Sequence, residues 1–165
     1  VSLMIISVLA DTHIPKRAKD LPSAAYELIE KSDAIIHAGD ILTSDFLAKL
    51  SRMVPVYAVL GNNDIGVTLP EILEMELDGI NIAVIHDSGP KTGRRNRMKK
   101  RFPNARIVIY GHSHIPESFD QDGLLLFNPG SPTDRRRQPE HTMGLLKIAE
   151  GDFVATLVKL PKANA

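Results

Sequence analysis

Ala105-Arg106-Ile107-Val108-Ile109-Tyr110-Gly111-His112-Ser113-His114 is a β-branched apolar run that stops at a glycine and then delivers two histidines. Such a run reads as a strand buried on both faces. In open parallel sheets the ligand crevice lies just outside the carboxyl ends of the strands. By itself the stretch is two histidines in a turn, but the same order recurs upstream. Leu3 to Leu9 leads to Asp11-Thr12-His13, and Ala34-Ile35-Ile36-His37 leads to Gly39-Asp40. Pro55 to Leu60 leads to Gly61-Asn62-Asn63-Asp64, and Ile80 to Ile85 leads to His86.

The segments between these runs set the topology. Pro22-Ser23 opens a helix with Ala24, Ala25, Leu28 and Ile29 as its apolar positions. Thr43 or Ser44 is the N-cap of a second, carrying Phe46, Leu47 and Leu50. Strand, helix, strand, helix, strand implies parallel strands with right-handed crossovers. Beyond residue 70 the pattern changes. Glu71 to Leu77 and Ile80 to Ile85 flank Asp78-Gly79, a hairpin signal. Lys91 to Arg101 reads as a basic helix, and Ser118 to Phe127 as a hairpin turning at Gln121-Asp122-Gly123. Asn128-Pro129-Gly130-Ser131-Pro132 is a rigid turn, and Thr142 to Ile148 with Phe153 to Leu160 form a last hairpin. The expected architecture is α/β in one domain over residues 1–165, with two sheets packed face to face and helices outside.

Composition narrows the chemistry. A formal net charge of zero gives no global pull toward nucleic acid or anionic membrane. The run from Leu3 to Ala10 is too short to span a bilayer and lacks the flanks of a signal peptide, so a cytoplasmic protein is expected. With no cysteine, any metal must be held by histidine, carboxylate or amide oxygen. Two-metal hydrolases need such ligands: a carboxylate to bridge ions about 3.5–4 Å apart, and imidazoles to complete each shell. Read singly, each fragment is a turn or a strand end. Read together they are one dinuclear site.

In their order, Asp11-x-His13, Gly39-Asp40, Gly61-Asn62, His86 and Gly111-His112-x-His114 resemble the motif series of the calcineurin-like metallophosphoesterases, over residues 3 to about 133. The Asn128-Pro129-Gly130-Ser131 turn is similar to that of the compact bacterial and archaeal phosphodiesterases, and Asp11-x-His13-Ile14-Pro15 to the retromer subunit built on this fold. The resemblance implies a four-layer α-β-β-α sandwich. It implies two divalent ions, manganese first, with iron, zinc or nickel as alternatives. Asp11, His13 and His114 would hold one ion, Asn62, His86 and His112 the other, and Asp40 would bridge. A bridging hydroxide would attack phosphorus directly, making Asp40, Asn62 and His112 the catalytic set. The expected substrate is a small phosphodiester, touched by Asn62 and Arg135.

Two positions depart from the family pattern. Asn63 stands where many members carry a histidine that protonates the leaving oxygen, and general acid catalysis is worth about 10²–10⁴-fold. His86-Asp87-Ser88 stands where a glycine often follows the histidine, which adds the Asp87 carboxylate near the site. His37 and His141 are read as structural or solvent-exposed. The basic stretch Lys91 to Arg101 is read as a solvated helix face, or as an anion or nucleic-acid surface. Two further functions follow from the same residues: a protein-interaction scaffold of this fold, and a nuclease using the same site. A homo-oligomer is compatible with either.

Overall fold

The computed structural model describes residues 3–161; the outermost residues of the expected domain, Val1 among them, lie outside these. β1 (Met4–Leu9), α1 (Ser23–Glu30), β2 (Ala34–His37), α2 (Ser44–Met53) and β3 (Val56–Ala58) form the first unit. β4 (Ile72–Leu77), β5 (Ile80–Ile85), α3 (Arg94–Arg101), β6 (Ile107–Ile109), β7 (Glu117–Gln121) and β8 (Leu124–Asn128) form the second. β9 (His141–Ala149) and β10 (Asp152–Leu160) then return to the first. One sheet has the order β10-β9-β1-β2-β3 and the other β4-β5-β6-β8-β7. β1, β2 and β3 run parallel, as do β5, β6 and β8; β9 is antiparallel to β1, β4 to β5 and β7 to β8, and β10 pairs antiparallel with β9.

Side-chain alternation explains why these runs are apolar almost throughout. Ile6 and Val8 of β1, Ile36 of β2, Ile82 and Val84 of β5, Ile107 and Ile109 of β6, and Leu125 and Phe127 of β8 meet between the sheets. The residues one step away face outward and are buried too. Leu9 and Ile35 pack under Ala25 and Ile29 of α1 and Phe46 and Leu50 of α2. Ala83, Val108 and Leu126 pack under Met98 of α3. Three apolar layers separate four structural ones, so the molecule is the expected sandwich. Ser7, the one polar residue of the β1 run, is buried against α1 and meets Ser32 Oγ at 2.7 Å, whose hydroxyl donates to Leu28 O at 2.8 Å. Thr43 caps α2 by accepting from Phe46 N at 3.3 Å, a contact worth about 1 kcal/mol.

Several elements are shorter than expected. β3 covers Val56–Ala58 rather than Pro55 to Leu60, because after Val59, which still bonds His37 of β2, Leu60 turns its backbone N–H away to Pro70. α3 begins at Arg94 rather than Lys91, since Gly93 has φ 76° and a left-handed residue does not start a right-handed helix. No helix among the described residues is long and apolar enough to cross a membrane.

Candidate metal centre

Every expected ligand follows the carboxyl end of a strand in the parallel parts of the two sheets: Asp11 and His13 after β1, Asp40 after β2, Asn62 after β3, His86 after β5, His112 and His114 after β6. The two sheets bring these ends together. Asp11 Oδ1 lies 3.9 Å from His13 Nε2, 3.9 Å from His86 Nε2 and 3.6 Å from His114 Nε2. Asp40 Oδ2 lies 3.5 Å from His13 Nε2 and 3.4 Å from His86 Nε2, between the two groups. Asn62 Oδ1 is 3.0 Å from His86 Nε2, and His112 Nδ1 is 3.3 Å from the same nitrogen. Two sets could each hold an ion: Asp11, His13 and His114, and Asp11, Asp40 and His86.

The imidazoles are oriented from behind. His86 Nδ1 bonds Ala38 O at 2.8 Å, and His114 Nδ1 bonds the Asp134 carbonyl. Those bonds place an N–H on each Nδ1, and on His114 they leave the Nε2 lone pair facing the centre, as metal-ligating histidines require. Asp11 Oδ1, His13 Nε2 and His114 Nε2 are buried, and no hydrogen bond reaches them among the described residues. A buried polar atom left unpaired costs about 1–3 kcal/mol. Three of them converging as lone pairs are relieved together by one cation. Ligand distances of about 2.0–2.2 Å put neighbouring ligand atoms some 3–3.5 Å apart, near the separations seen here. The residues present fit divalent ions.

Burial and charge tune the groups in opposite directions. Burial pushes the Asp11 carboxyl up to about 7, against the pull of His86. Burial also acts upward on Asp40, but the hydrogen bonds from His86 and Asn63 outweigh it and hold that carboxyl well below the usual range. Burial lowers His13, and takes His114 down to about 4, so both imidazoles are neutral and able to bind a cation. For His86, burial is overcome by its bond to Asp40 and the charges of Asp11 and Asp40, and its pKa is raised.

The ligand loops are strained. Asp11, His13, Asp40, His112 and His114 all have positive φ, between 47° and 74°, a region that costs non-glycine residues of order 1 kcal/mol or more. The surroundings hold them there. Gly61 passes so close that a Cβ would lie 2.2 Å from Asp40 Oδ1.

Several residues of this frame carried no expected role. Asp64 accepts from the backbone N–H groups of Leu42, Gly61 and Asp40 at 2.7, 2.8 and 3.1 Å, tying the β2 turn to the β3 turn. Aspartate in a glycine- and asparagine-rich turn is a known signal for such bonding. Asn63 donates its backbone N–H to Asp40 Oδ1 at 2.8 Å and its amide to Oδ2 at 2.9 Å, so both oxygens are gripped. Ser131 donates to Asp11 O at 2.9 Å and Thr133 to Thr12 O at 2.6 Å, while Asp134 receives His114. The Asn128–Ser131 turn and the loop after it therefore hold two ligand loops. His37 is fully buried with Gly39 N donating to Nδ1 at 3.1 Å and Nε2 3.0 Å from Thr12 Oγ1, a structural histidine. His141 opens β9 opposite Leu160.

Two arginines of α3 turn to backbone carbonyls rather than outward. Arg95 donates to Phe119 O, Gln121 O and Leu124 O, and Arg97 to Ser88 O, Pro90 O and Thr92 O. These two satisfy carbonyls of neighbouring segments, while Lys91, Lys100 and Arg101 of the same basic stretch are exposed, as the solvated face expected there requires. Arg135 bonds Gln138 O at 2.6 Å, and it is Arg136 that lines the cleft beside His13 and Asn62.

The family model for the calcineurin-like phosphoesterase superfamily domain matches residues 4–151. The chain belongs to that superfamily. A probable metallophosphoesterase of Methanothermobacter thermautotrophicus is 35% identical over 136 residues, 79% of this chain and 78% of the relative. A second, from Methanocaldococcus jannaschii, is 38% identical over 134 residues, 79% of this chain and 69% of the relative. Vacuolar protein sorting 29 from Cryptosporidium parvum superposes with a TM-score of 0.80 at 20% identity, covering 97% of this chain and 99% of that one. A novel archaeal phosphodiesterase superposes with a TM-score of 0.72 at 21% identity, covering 94% and 100%. These two likenesses speak for the fold. Family membership adds that divalent metals serve the chemistry, to which the orphaned lone pairs correspond.

Proposed function

We propose that the chain is a dinuclear metal-dependent phosphodiesterase acting on small diesters. The observation that carries this is the trio of unpaired buried atoms, Asp11 Oδ1, His13 Nε2 and His114 Nε2, beside a second group that shares Asp11. Asp11, His13 and His114 would hold one ion, and Asn62, His86 and His112 the other, with Asp40 between them. Bound there, manganese or a similar divalent ion supplies a water of lowered pKa and neutralises charge on the phosphoryl oxygens.

The remaining work falls to the chain. Asn63 and His86 fix Asp40 through both of its oxygens. The carbonyls of Ala38 and Asp134 hold His86 and His114 in one tautomer. In the reaction water adds to phosphorus, the bond to the leaving oxygen breaks, and water's proton passes to solvent or to the departing alcohol. Asn63 cannot act as that proton's acid, so esters with stable leaving anions are the better substrates.

The test is hydrolysis by metal-stripped protein, with manganese, nickel, zinc and magnesium restored singly. Bis-p-nitrophenyl phosphate and p-nitrophenyl phosphate are compared, and bound metal is counted by mass spectrometry. Manganese should restore turnover, faster on the diester. Two bound ions per chain with neither ester hydrolysed by any metal would sink the proposal.

A further inference from the structure

Two cavities meet at Asn62, and they differ in charge. One, of about 450 Å³, continues past His86 between Asp64, Glu71, Asp87 and Arg101. It sets three carboxylates against one arginine. The other, of about 500 Å³, has His13, Asn62 and Asn63 on its floor and Lys16, Arg17 and Arg136 at its rim, opposed by Asp134. Arg17 pairs with Asp134 at 3.8 Å, while Lys16 and Arg136 form no ion pair among the described residues. The positive charge of Arg136 reaches inward to Asp11, His13 and His114. Ile65, 84% exposed, adds an apolar wall at the open end.

A phosphodiester seated over the ligand cluster sends two ester arms away from one phosphorus, and these two cavities, which share Asn62, can receive them. An anionic arm is repelled by Asp87 and Glu71 and drawn to Lys16 and Arg136. Arginine also matches phosphate geometrically, through paired N–H donors. We propose that the substrate is an asymmetric phosphodiester whose arm on the His13 side carries a second phosphate, bound by Arg136 and Lys16. This rests on the phosphodiesterase reading above and names its substrate class. The apolar wall at Ile65 suits a sugar or ring between the two phosphates.

The probes are thymidine 5′-(p-nitrophenyl phosphate) and the same ester bearing a 3′-phosphate. They lose the same leaving group and differ only in the second phosphate. With manganese-loaded protein, the 3′-phosphorylated ester should show a KM about tenfold lower at similar kcat, a gap that narrows as salt is raised. Arg136→Gln and Lys16→Gln should each cut the ratio of kcat/KM for the two esters severalfold, whereas Arg101→Gln in the other cavity should leave the ratio as it is. A ratio near one in the unaltered protein, or one that survives both substitutions together, overturns the proposal. Calorimetric binding of thymidine 3′,5′-bisphosphate against thymidine 5′-monophosphate separates the two readings. If neither ester turns over but the bisphosphate binds more tightly, and Arg136→Gln removes the difference, hydrolysis fails and the cleft assignment stands. If both esters turn over with equal KM, the cleft assignment fails and hydrolysis stands.

Discussion

Asp11, His13 and His114 point lone pairs at one another from positions at most 5% exposed, while His112, across the cluster, leaves 46% of its side chain in solvent. The first three find no hydrogen bond for the atoms that face inward. On the other side Asn62 and His112 both settle against His86, at 3.0 and 3.3 Å. One half of the cluster has thus been desolvated by folding and left unsatisfied, and the other half satisfies itself. Ion affinity, and its coupling to folding, should be concentrated in the closed half.

Exchanging a ligand in each half puts the largest effect on this comparison. His114→Ala and His112→Ala should both lower kcat/KM by roughly a thousandfold, the worth of about 4 kcal/mol of charge stabilisation. They should differ in what remains bound. The His112→Ala protein is expected to keep one ion per chain and to gain Tm when manganese is added. The His114→Ala protein should do neither at the same concentration. Equal metal loss in the two would break the distinction.

Chelation sharpens it. At a metal concentration a thousand times Kd, binding adds about 4 kcal/mol to folding stability, and the gap between loaded and stripped protein should depend on pH. Burial raises the Asp11 carboxyl to about 7 from an ordinary 3.8. In the stripped protein the native state therefore keeps a proton that the unfolded chain has lost. The Asp11 contribution to stability is full below about pH 4 and drains away as pH rises toward 7. Cation binding favours the ionised carboxylate and the neutral forms of His13 and His114, so the loaded protein escapes that loss. The Tm gap should widen from pH 5 to pH 8. A gap independent of pH would mean that the closed half is not the linked element.

Much of this centre is legible in the amino-acid order alone, for a physical reason. A strand buried on both faces must be apolar throughout, so Leu3 to Leu9 and Ile107 to Tyr110 stand out, and a charged or imidazole group just past such a run has an address at the sheet edge. The four layers follow from the same alternation. Bonds between side chain and backbone over long separations are not legible in that way. Ser131 reaches the Asp11 carbonyl across 120 residues, and Asp64 grips three N–H groups from two different turns. Neither has a period or a spacing. The α3 arginines show the same limit: seven basic residues between Lys91 and Arg101 look alike as charges, yet the carbonyls above them make Arg95 and Arg97 staples.

His37 lies behind both halves and tests whether the frame or the ligands set acid stability. Burial lowers its pKa to about 3 from 6.5, with the nearby His86 adding to the effect. The native state holds it neutral while the unfolded chain takes up a proton below 6.5. Its contribution is therefore complete above that pH and is lost as pH falls toward 3, at up to about 1.4 kcal/mol per unit. In His37→Gln, urea titrations between pH 6.5 and 4 should show a shallower decline than in the unaltered protein. Parallel declines would place the acid sensitivity in the ligands.

The smallest effect separates strain from ligation in the open half. His112 sits at φ 74°, where a Cβ is disfavoured and glycine is not. Both His112→Ala and His112→Gly remove the imidazole, so both should lose activity alike. They should differ in stability, with the glycine variant about 1 kcal/mol the more stable. That order reverses the usual one, because glycine elsewhere costs extra unfolded-state entropy relative to alanine. Chemical denaturation of the two metal-free variants measures it directly. An alanine variant as stable as the glycine variant would show that the loop relaxes out of the left-handed region once the imidazole is gone. In that case His86, whose Nε2 lies 3.3 Å from His112 Nδ1, would be what holds His112 in its strained turn.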